Sequence, residues 1–366
     1  MKAAPALQRL RASFLIAGVE CAERSPLYAR ICAAVAGDDE ILALLLCAPP
    51  RQRRPTLLLA AIHDLLLGGA EHELAAHVPT VAAGRVASGD PGELALAFCR
   101  EHRAGLERLL ATRTTQTNEV NRAAALAPAL VHATPPGAAL QLVELGASAG
   151  LNLLADRFAH RYRAGVRGVS VPWGPETPHT PSVVCDCAVD GELPAWRALR
   201  IEARIGVDLE PVDLAEAAAR RWLEACTWPD EADRVARLRA AIALARRDPP
   251  RVLRGDGPSL LGTLLADGLH PVVWHSWALA YATPARQRAL GRTIDALGAR
   301  RDLTWIYLEQ PSKTPGLPTP VVAGVRHERA DSALVAVRYR GGRRAIERLA
   351  DTHPHVHRMR WLARRA

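Results

Sequence analysis

Residues 142–152 read Leu142-Val143-Glu144-Leu145-Gly146-Ala147-Ser148-Ala149-Gly150-Leu151-Asn152. A buried strand running into small residues is expected here, with a helix from Leu151. Small residues let the backbone approach a ligand closely, and the first turn of a helix offers its N–H groups to the same space. In open α/β sheets, ligands bind outside the carboxyl ends of the strands, where this loop would lie. Such turns are also common structural devices, so the loop alone names no ligand. A dinucleotide fingerprint would want glycine at positions 146, 148 and 151. Ser148 and Leu151 occupy the last two, which disfavours nicotinamide or flavin binding.

Downstream, short apolar runs alternate with helical stretches: Leu140 to Leu145, Leu199 to Val207, Val252 to Leu253, Pro271 to Trp274 and Leu303 to Leu308. This alternation argues for βαβ units on a doubly wound, mostly parallel sheet over residues 136–366. The loop-rich stretch Tyr162 to Trp196 is expected to be an insertion at about 162–196, lying over the sheet edge. Near the end, Ala333 to Tyr339, a Gly341-Gly342 turn, a helix from Ala345 and a run from Val356 to Trp361 predict a closing strand pair at one edge. Val171 to Ser182 and Gln310 to Pro320 read as loops.

Upstream, residues 1–135 read as an α-helical region. Ser25 caps a helix with Pro26 at its first position, Thr56 is expected to cap Leu57 to Leu67, and Pro91 to Leu110 carries apolar residues at helical spacing. The polar run Thr114-Thr115-Gln116-Thr117-Asn118-Glu119-Val120-Asn121-Arg122 interrupts this apolar stretch. A cap at Thr117 accounts for part of it. Asn118, Glu119 and Arg122 are the candidate substrate contacts, guanidinium being a fixed donor fork for a carboxylate or phosphate.

The net charge is +9, but lysine occurs only at Lys2 and Lys313, and the arginines are scattered from end to end. A nucleic-acid partner is therefore not expected, and a small-molecule substrate is. The 7 cysteines are an odd number and mostly sit in apolar helical stretches, which fits reduced thiols in a cytoplasm. Cys185 and Cys187 have no second pair at zinc spacing, so packing is expected rather than a metal. The longest apolar stretches fall short of the roughly 20 residues that cross a bilayer. No membrane association is expected, and the oligomeric state is not legible.

The order of these features is similar to that of class I S-adenosylmethionine-dependent methyltransferases. The resemblance implies S-adenosylmethionine as cofactor, with Glu144 supporting the loop and Gly146, Ala147 and Gly150 passing the methionine part. It implies Asp208, in Gly206-Val207-Asp208, at the ribose and Asp256, in Gly255-Asp256, at the adenine. Both acids could equally be a helix cap or a plain turn. Ser148 departs from the family's middle glycine. His275, in Trp274-His275-Ser276-Trp277, is the candidate base, because imidazole exchanges protons near neutral pH. A histidine packed between tryptophans is the structural alternative. Thr117 to Arg122, Glu144 to Asn152, Gly206 to Asp213, Trp222 to Pro229, Gly255-Asp256 and His275 to Tyr281 together also resemble a bacterial domain-of-unknown-function family, number 2332, which implies no reaction. The alternative expectation is a non-catalytic module binding a nucleotide-like ligand or a protein.

Overall fold

In the computed structural model, residues 3–116, 118–165, 168–174, 183–322 and 331–364 are described. The helices are α1 (Ala3–Cys21), α2 (Pro26–Ala36), α3 (Asp39–Leu44), α4 (Pro55–Leu67), α5 (Pro91–Glu101), α6 (Arg103–Thr112), α7 (Ala123–Ala133), α8 (Ala217–Ala225), α9 (Ala232–Arg247), α10 (Gly257–Leu264) and α11 (Pro284–Gly298). The chain forms two compact units. One is Met1–Thr117 with Ala215–Arg239; the other is Asn118–Leu214 with Ala240–Ala366. The helical run expected to end at 135 therefore divides earlier: α7 belongs with the sheet, and α8 belongs with the first six helices.

The helical unit is built on the local signals in its sequence. Ser25 Oγ accepts the Tyr28 N–H, and Pro26 opens α2. Thr56 is not the cap of α4, because Pro55 takes the first helical position and Arg54 becomes the N-cap. The stretch from Pro91 breaks at His102 into α5 and α6. Phe14, Ile31, Ile41, Leu57 and Phe98 form the core, joined by Trp222 of α8. The expected cap at Thr117 lies outside the described residues.

The other unit is a mixed α/β structure with one sheet of 11 strands among the described residues. They are β1 (Ala139–Leu145), β2 (Ala159–Ala164), β3 (Ser170–Trp173), β4 (Val184–Asp190), β5 (Arg200–Asp208), β6 (Arg251–Arg254), β7 (His270–Ser276), β8 (Leu303–Glu309), β9 (Ser332–Arg340), β10 (Arg343–Thr352) and β11 (Arg358–Trp361). The spatial order is β3-β2-β4-β11-β10-β9-β8-β7-β1-β5-β6. From β6 to β8 every pairing is parallel. β9, β10 and β11 follow as an antiparallel meander, after which β4 and β2 restore parallel pairing.

Two expectations need correction. The described residues of the 162–196 stretch are not a loop-rich cover over an edge. They contribute β3, β4 and the second half of β2, and extend the sheet beyond β11. The meander consequently lies inside the sheet and not at its edge. No helix begins at Ala345 either, because Arg343–Thr352 pairs along its length with β9. Its sequence, Arg343-Arg344-Ala345-Ile346-Glu347-Arg348-Leu349-Ala350-Asp351-Thr352, contains good helix formers. The Gly341-Gly342 turn, with both residues at positive φ, folds it back as a hairpin, and the tertiary pairing wins. Of the stretch read as the loop Val171 to Ser182, residues 171–173 lie in β3, and 175–182 fall outside the described residues.

Side chains alternate across the strands, which gives the sheet two chemically distinct layers. Val143, Leu145, Val273, Trp305 and Tyr307 pack on one face with Leu261 of α10 and with Leu290 and Ile294 of α11. Glu144, Trp274 and Thr304 point to the other. There α7 approaches, Thr304 Oγ1 donating to Ala133 O at 3.3 Å.

Candidate functional site

The small-residue loop after β1 takes the left-handed conformation three times, at Gly146 (φ 73°), Ser148 (φ 53°) and Gly150 (φ 73°). Ser148 thus adopts the conformation that favours glycine, which explains how the loop keeps its course without the middle glycine. The N–H groups of Gly146 and Ala147 both donate to Val207 O, and Ser148 N–H donates to Asp208 Oδ2 at 2.8 Å. The other Asp208 oxygen accepts Glu210 N–H at 2.8 Å. One carboxylate therefore pins the loop after β1 to the turn after its own strand.

Gly150 has a packing cause. A Cβ there would lie 2.9 Å from both Pro250 and Val252. The expected helix from Leu151 is a 3-10 segment, Leu151–Arg157, kinked at Leu154. It supplies Asn152, whose Nδ2 donates to Glu119 O at 3.3 Å.

Glu144 is buried beneath this loop. Its Oε1 accepts the Trp274 indole N–H at 3.0 Å, and its Oε2 has no partner. Burial pushes its carboxyl up to about 8, the negative charge of Asp208 acting in the same sense, while the Trp274 bond and Arg122 pull it down. Arg122 donates from Nε to Pro354 O at 3.2 Å and from one terminal nitrogen to Ser276 O and Oγ, both at 3.3 Å. Its guanidinium lies 6.0 Å from the centre of the Trp277 ring. Glu119 is buried as well. Its Oε1 accepts Asn121 N–H, and its Oε2 meets His355 Nδ1 at 2.9 Å. The neighbouring Asn118 has a buried Nδ2 without a partner.

Asn121 belongs to this polar run but was not singled out from the sequence. Its Nδ2 donates to the carbonyls of Asp186, His355 and Val356, and its Oδ1 accepts Asp186 N–H at 3.1 Å. It clamps β4 to the turn before β11. Its amide can satisfy backbone groups of both signs, but nothing in the sequence shows that residues 65 and 235 positions away will present them.

His275 lies in the opposite layer. It is fully buried, its ring stacked on Tyr307 with centroids 5.5 Å apart. Nδ1 meets Glu309 Oε1 at 2.9 Å, and that oxygen also accepts the N–H groups of Ala278 and Leu279, each at 3.0 Å. His275 Nε2 and Glu309 Oε2 have no partner. Glu309 is the second site residue that reading the sequence missed. Its one signal was position, as the terminal acid of the fifth parallel run, one strand over from the histidine.

The structure thus brings Arg122, Glu119 and Glu144 to one layer and His275 to the other, with Gly146 and Ala147 at the strand ends between them; Asn118 precedes Glu119 and makes no side-chain hydrogen bond with any of them. A Cβ on Gly146 would fall 2.6 Å from Ala278 Cβ, so the loops after β1 and β7 touch. Asp256 stands apart from both groups as the N-cap residue of α10, its oxygens taken by Arg286 and by Ser259 Oγ, each at 2.8 Å. Cys185 and Cys187 lie buried in β4. Among the described residues no group of three or more His, Cys, Asp or Glu side chains is arranged to hold a metal. No helix among them is long and apolar enough to cross a membrane.

Neither a curated protein nor a solved structure matches the chain. A family described as "Uncharacterized protein conserved in bacteria (DUF2332)" matches residues 11–361. That span holds the loop after β1, the Asn118–Arg122 run and the His275–Glu309 pair alike, and the chain belongs to this family.

Proposed function

We propose that this chain binds S-adenosylmethionine across the carboxyl ends of β1 and β5 and transfers its methyl group to a small-molecule acceptor. The observation that carries the reading is the parallel run β6-β5-β1-β7-β8, with a thrice left-handed small-residue loop leaving its central strand and an acid ending the next. This is the strand order in which α/β sheets open a ligand crevice beside the first strand. Asp208 fits a ribose. Each of its oxygens takes one backbone N–H, and a carboxylate has about four acceptor positions, so two remain for vicinal hydroxyls.

Gly146 and Ala147 let the backbone pass close to the methionine part, and Asp256 stands at the carboxyl end of β6 for the adenine. S-adenosylmethionine supplies an electrophilic methyl group when bound. The protein holds the acceptor in line and receives its proton, for which His275, oriented through Nδ1 by Glu309, is the candidate. Titration calorimetry with S-adenosylmethionine, S-adenosylhomocysteine and NAD tests the reading. Heat is expected from the first two and none from NAD, with affinity falling at least tenfold in Asp208→Asn. An absence of heat from both adenosyl compounds overturns it.

One observation favours a second reading, a non-catalytic module on the same fold: the His275 ring is fully buried in the layer opposite Arg122 and Glu144. Binding of S-adenosylhomocysteine without methyl transfer to any member of a small-molecule panel would select it.

A further inference from the structure

Helix α1 buries Leu10, Phe14 and Cys21 in the helical core and turns Ala12, Leu15, Ile16 and Val19 outward. Leu15 is 54%, Ile16 58% and Val19 80% exposed, and no other helix or strand among the described residues exposes three large apolar side chains. At about 100° per residue the four outward positions fall on one stripe, at the spacing of a helix–helix seam. Single exposed apolar residues are ordinary, whereas a contiguous stripe marks a surface that something covers. Arg9 and Glu20 border it, and both are exposed. They stand three turns apart and within about 20° of each other around the helix, on the side of Ile16. Neither has a hydrogen bond or an ion pair among the described residues. Glu20 also occupies the last turn of α1, which carries no basic residue and where the negative end of the helix dipole disfavours a carboxylate.

We propose that the outward stripe of α1 docks on the same stripe of a second copy of this chain, the two helices running antiparallel about a two-fold axis. Charge decides both the occupant and the direction. A two-fold axis perpendicular to the plane of the two helices reverses the helix but keeps each flank on its own side, so Arg9 of each copy comes opposite Glu20 of the other. The register that sets Leu15 against Ile16 and Ala12 against Val19 leaves this pair offset by about 3 Å along the axis, within the reach of an arginine. A parallel pairing would instead set Arg9 beside Arg9 and Glu20 beside Glu20. The antiparallel arrangement also brings the positive end of the partner helix toward Glu20, which answers its unfavourable place in its own helix. The stripe therefore carries its own complement, apolar at the centre and opposite in charge at the two ends. A seam of one helix per copy is smaller than the roughly 800 Å² per partner of a standard interface, so the association is reversible and concentration-dependent. Nothing in it depends on the binding reading above.

Sedimentation equilibrium of the full chain, from about 5 to about 500 µM, tests the proposal. The weight-average mass is expected to climb from that of the monomer toward twice that value. Ile16→Glu, which puts a charge on an exposed position of the stripe, is expected to stay monomeric throughout; Val19→Lys takes its place if that variant fails to fold. Arg9→Glu and Glu20→Arg, each turning two attractions into two repulsions, are expected to weaken dimerisation about threefold or more. The double exchange Arg9→Glu with Glu20→Arg should restore it to within about twofold of the wild type, because the pairs re-form with their signs reversed. A monomer at every concentration overturns the proposal, as does a dimer that Ile16→Glu leaves intact. A double exchange as weak as the single changes overturns it too, since a merely adhesive stripe would not distinguish the two. Flotation with phosphatidylcholine–phosphatidylglycerol vesicles covers the other occupant: a monomer that binds them through Ile16 gives the stripe to a lipid surface and ends the dimer reading.

Discussion

Gly150 and Glu144 show what a single residue means once its neighbours are known. The sequence presents Gly150 as a place for a ligand to approach, whereas the space beside it is filled by Pro250 and Val252. Gly150→Ala should therefore destabilise the protein by about 2–4 kcal/mol in a denaturant melt, through a clash added to an unfavourable positive φ. If the substitution leaves stability unchanged but weakens adenosyl binding, the packing account is wrong. For Glu144 the expectation concerns pH. Its carboxyl keeps a proton in the folded state at pH values where the unfolded chain has lost it. Stability contributed at this position accordingly falls as pH rises from the ordinary carboxyl range through about 8. Glu144→Gln mimics the protonated form. Its melting temperature should match the wild type near pH 5 and exceed it increasingly toward pH 8, with a slope no steeper than about 1.4 kcal/mol per pH unit. A constant difference across that range would contradict the shift.

At the scale of elements, the polar run before α7 acts first as a connector. Asn121 bonds the backbone of β4 and of the turn before β11, and Arg122 bonds that turn and the end of β7. Asn121→Ala strands backbone groups of both signs and should cost about 2–4 kcal/mol, read as a lower unfolding midpoint. Arg122→Ala is likewise expected to lower the melting temperature, because its bonds tie together segments distant in sequence. Unchanged melting with altered ligand affinity would instead return Arg122 to a purely substrate-facing role. The hairpin of β9 and β10 carries the complementary lesson. Good helix formers follow Gly341-Gly342, yet a cross-strand partner along the whole length decides the state.

For the whole molecule, the division between units matters to any truncation. A fragment 136–366, cut where the helical sequence pattern ends, removes α7, whose residues are buried except His132. It should be insoluble or lack cooperative unfolding. A fragment starting at residue 118 keeps α7 and the Asn121 clamp, and should retain more strand signal by circular dichroism. Equal behaviour of the two fragments would mean that α7 is dispensable to the sheet. Many arginines are spent on ion pairs within the sheet unit, such as Arg163 with Asp186, Arg204 with Asp156 and Arg338 with Glu347.

The sequence by itself determined the helical character of the first hundred residues, the five parallel strands and the acid that ends β5. Each of these rests on local periodicity or on a turn chemistry confined to a few neighbouring residues. Three features were settled only by tertiary structure: that residues 162–196 extend the sheet, that β10 is a strand, and that Arg122 and His275 face opposite layers. Those outcomes depend on partners far away in sequence. Strand pairing, the parity of side chains across a sheet and the satisfaction of buried polar atoms are properties of the assembled backbone. Glu309 became visible as the partner of His275 only when β7 and β8 were laid side by side.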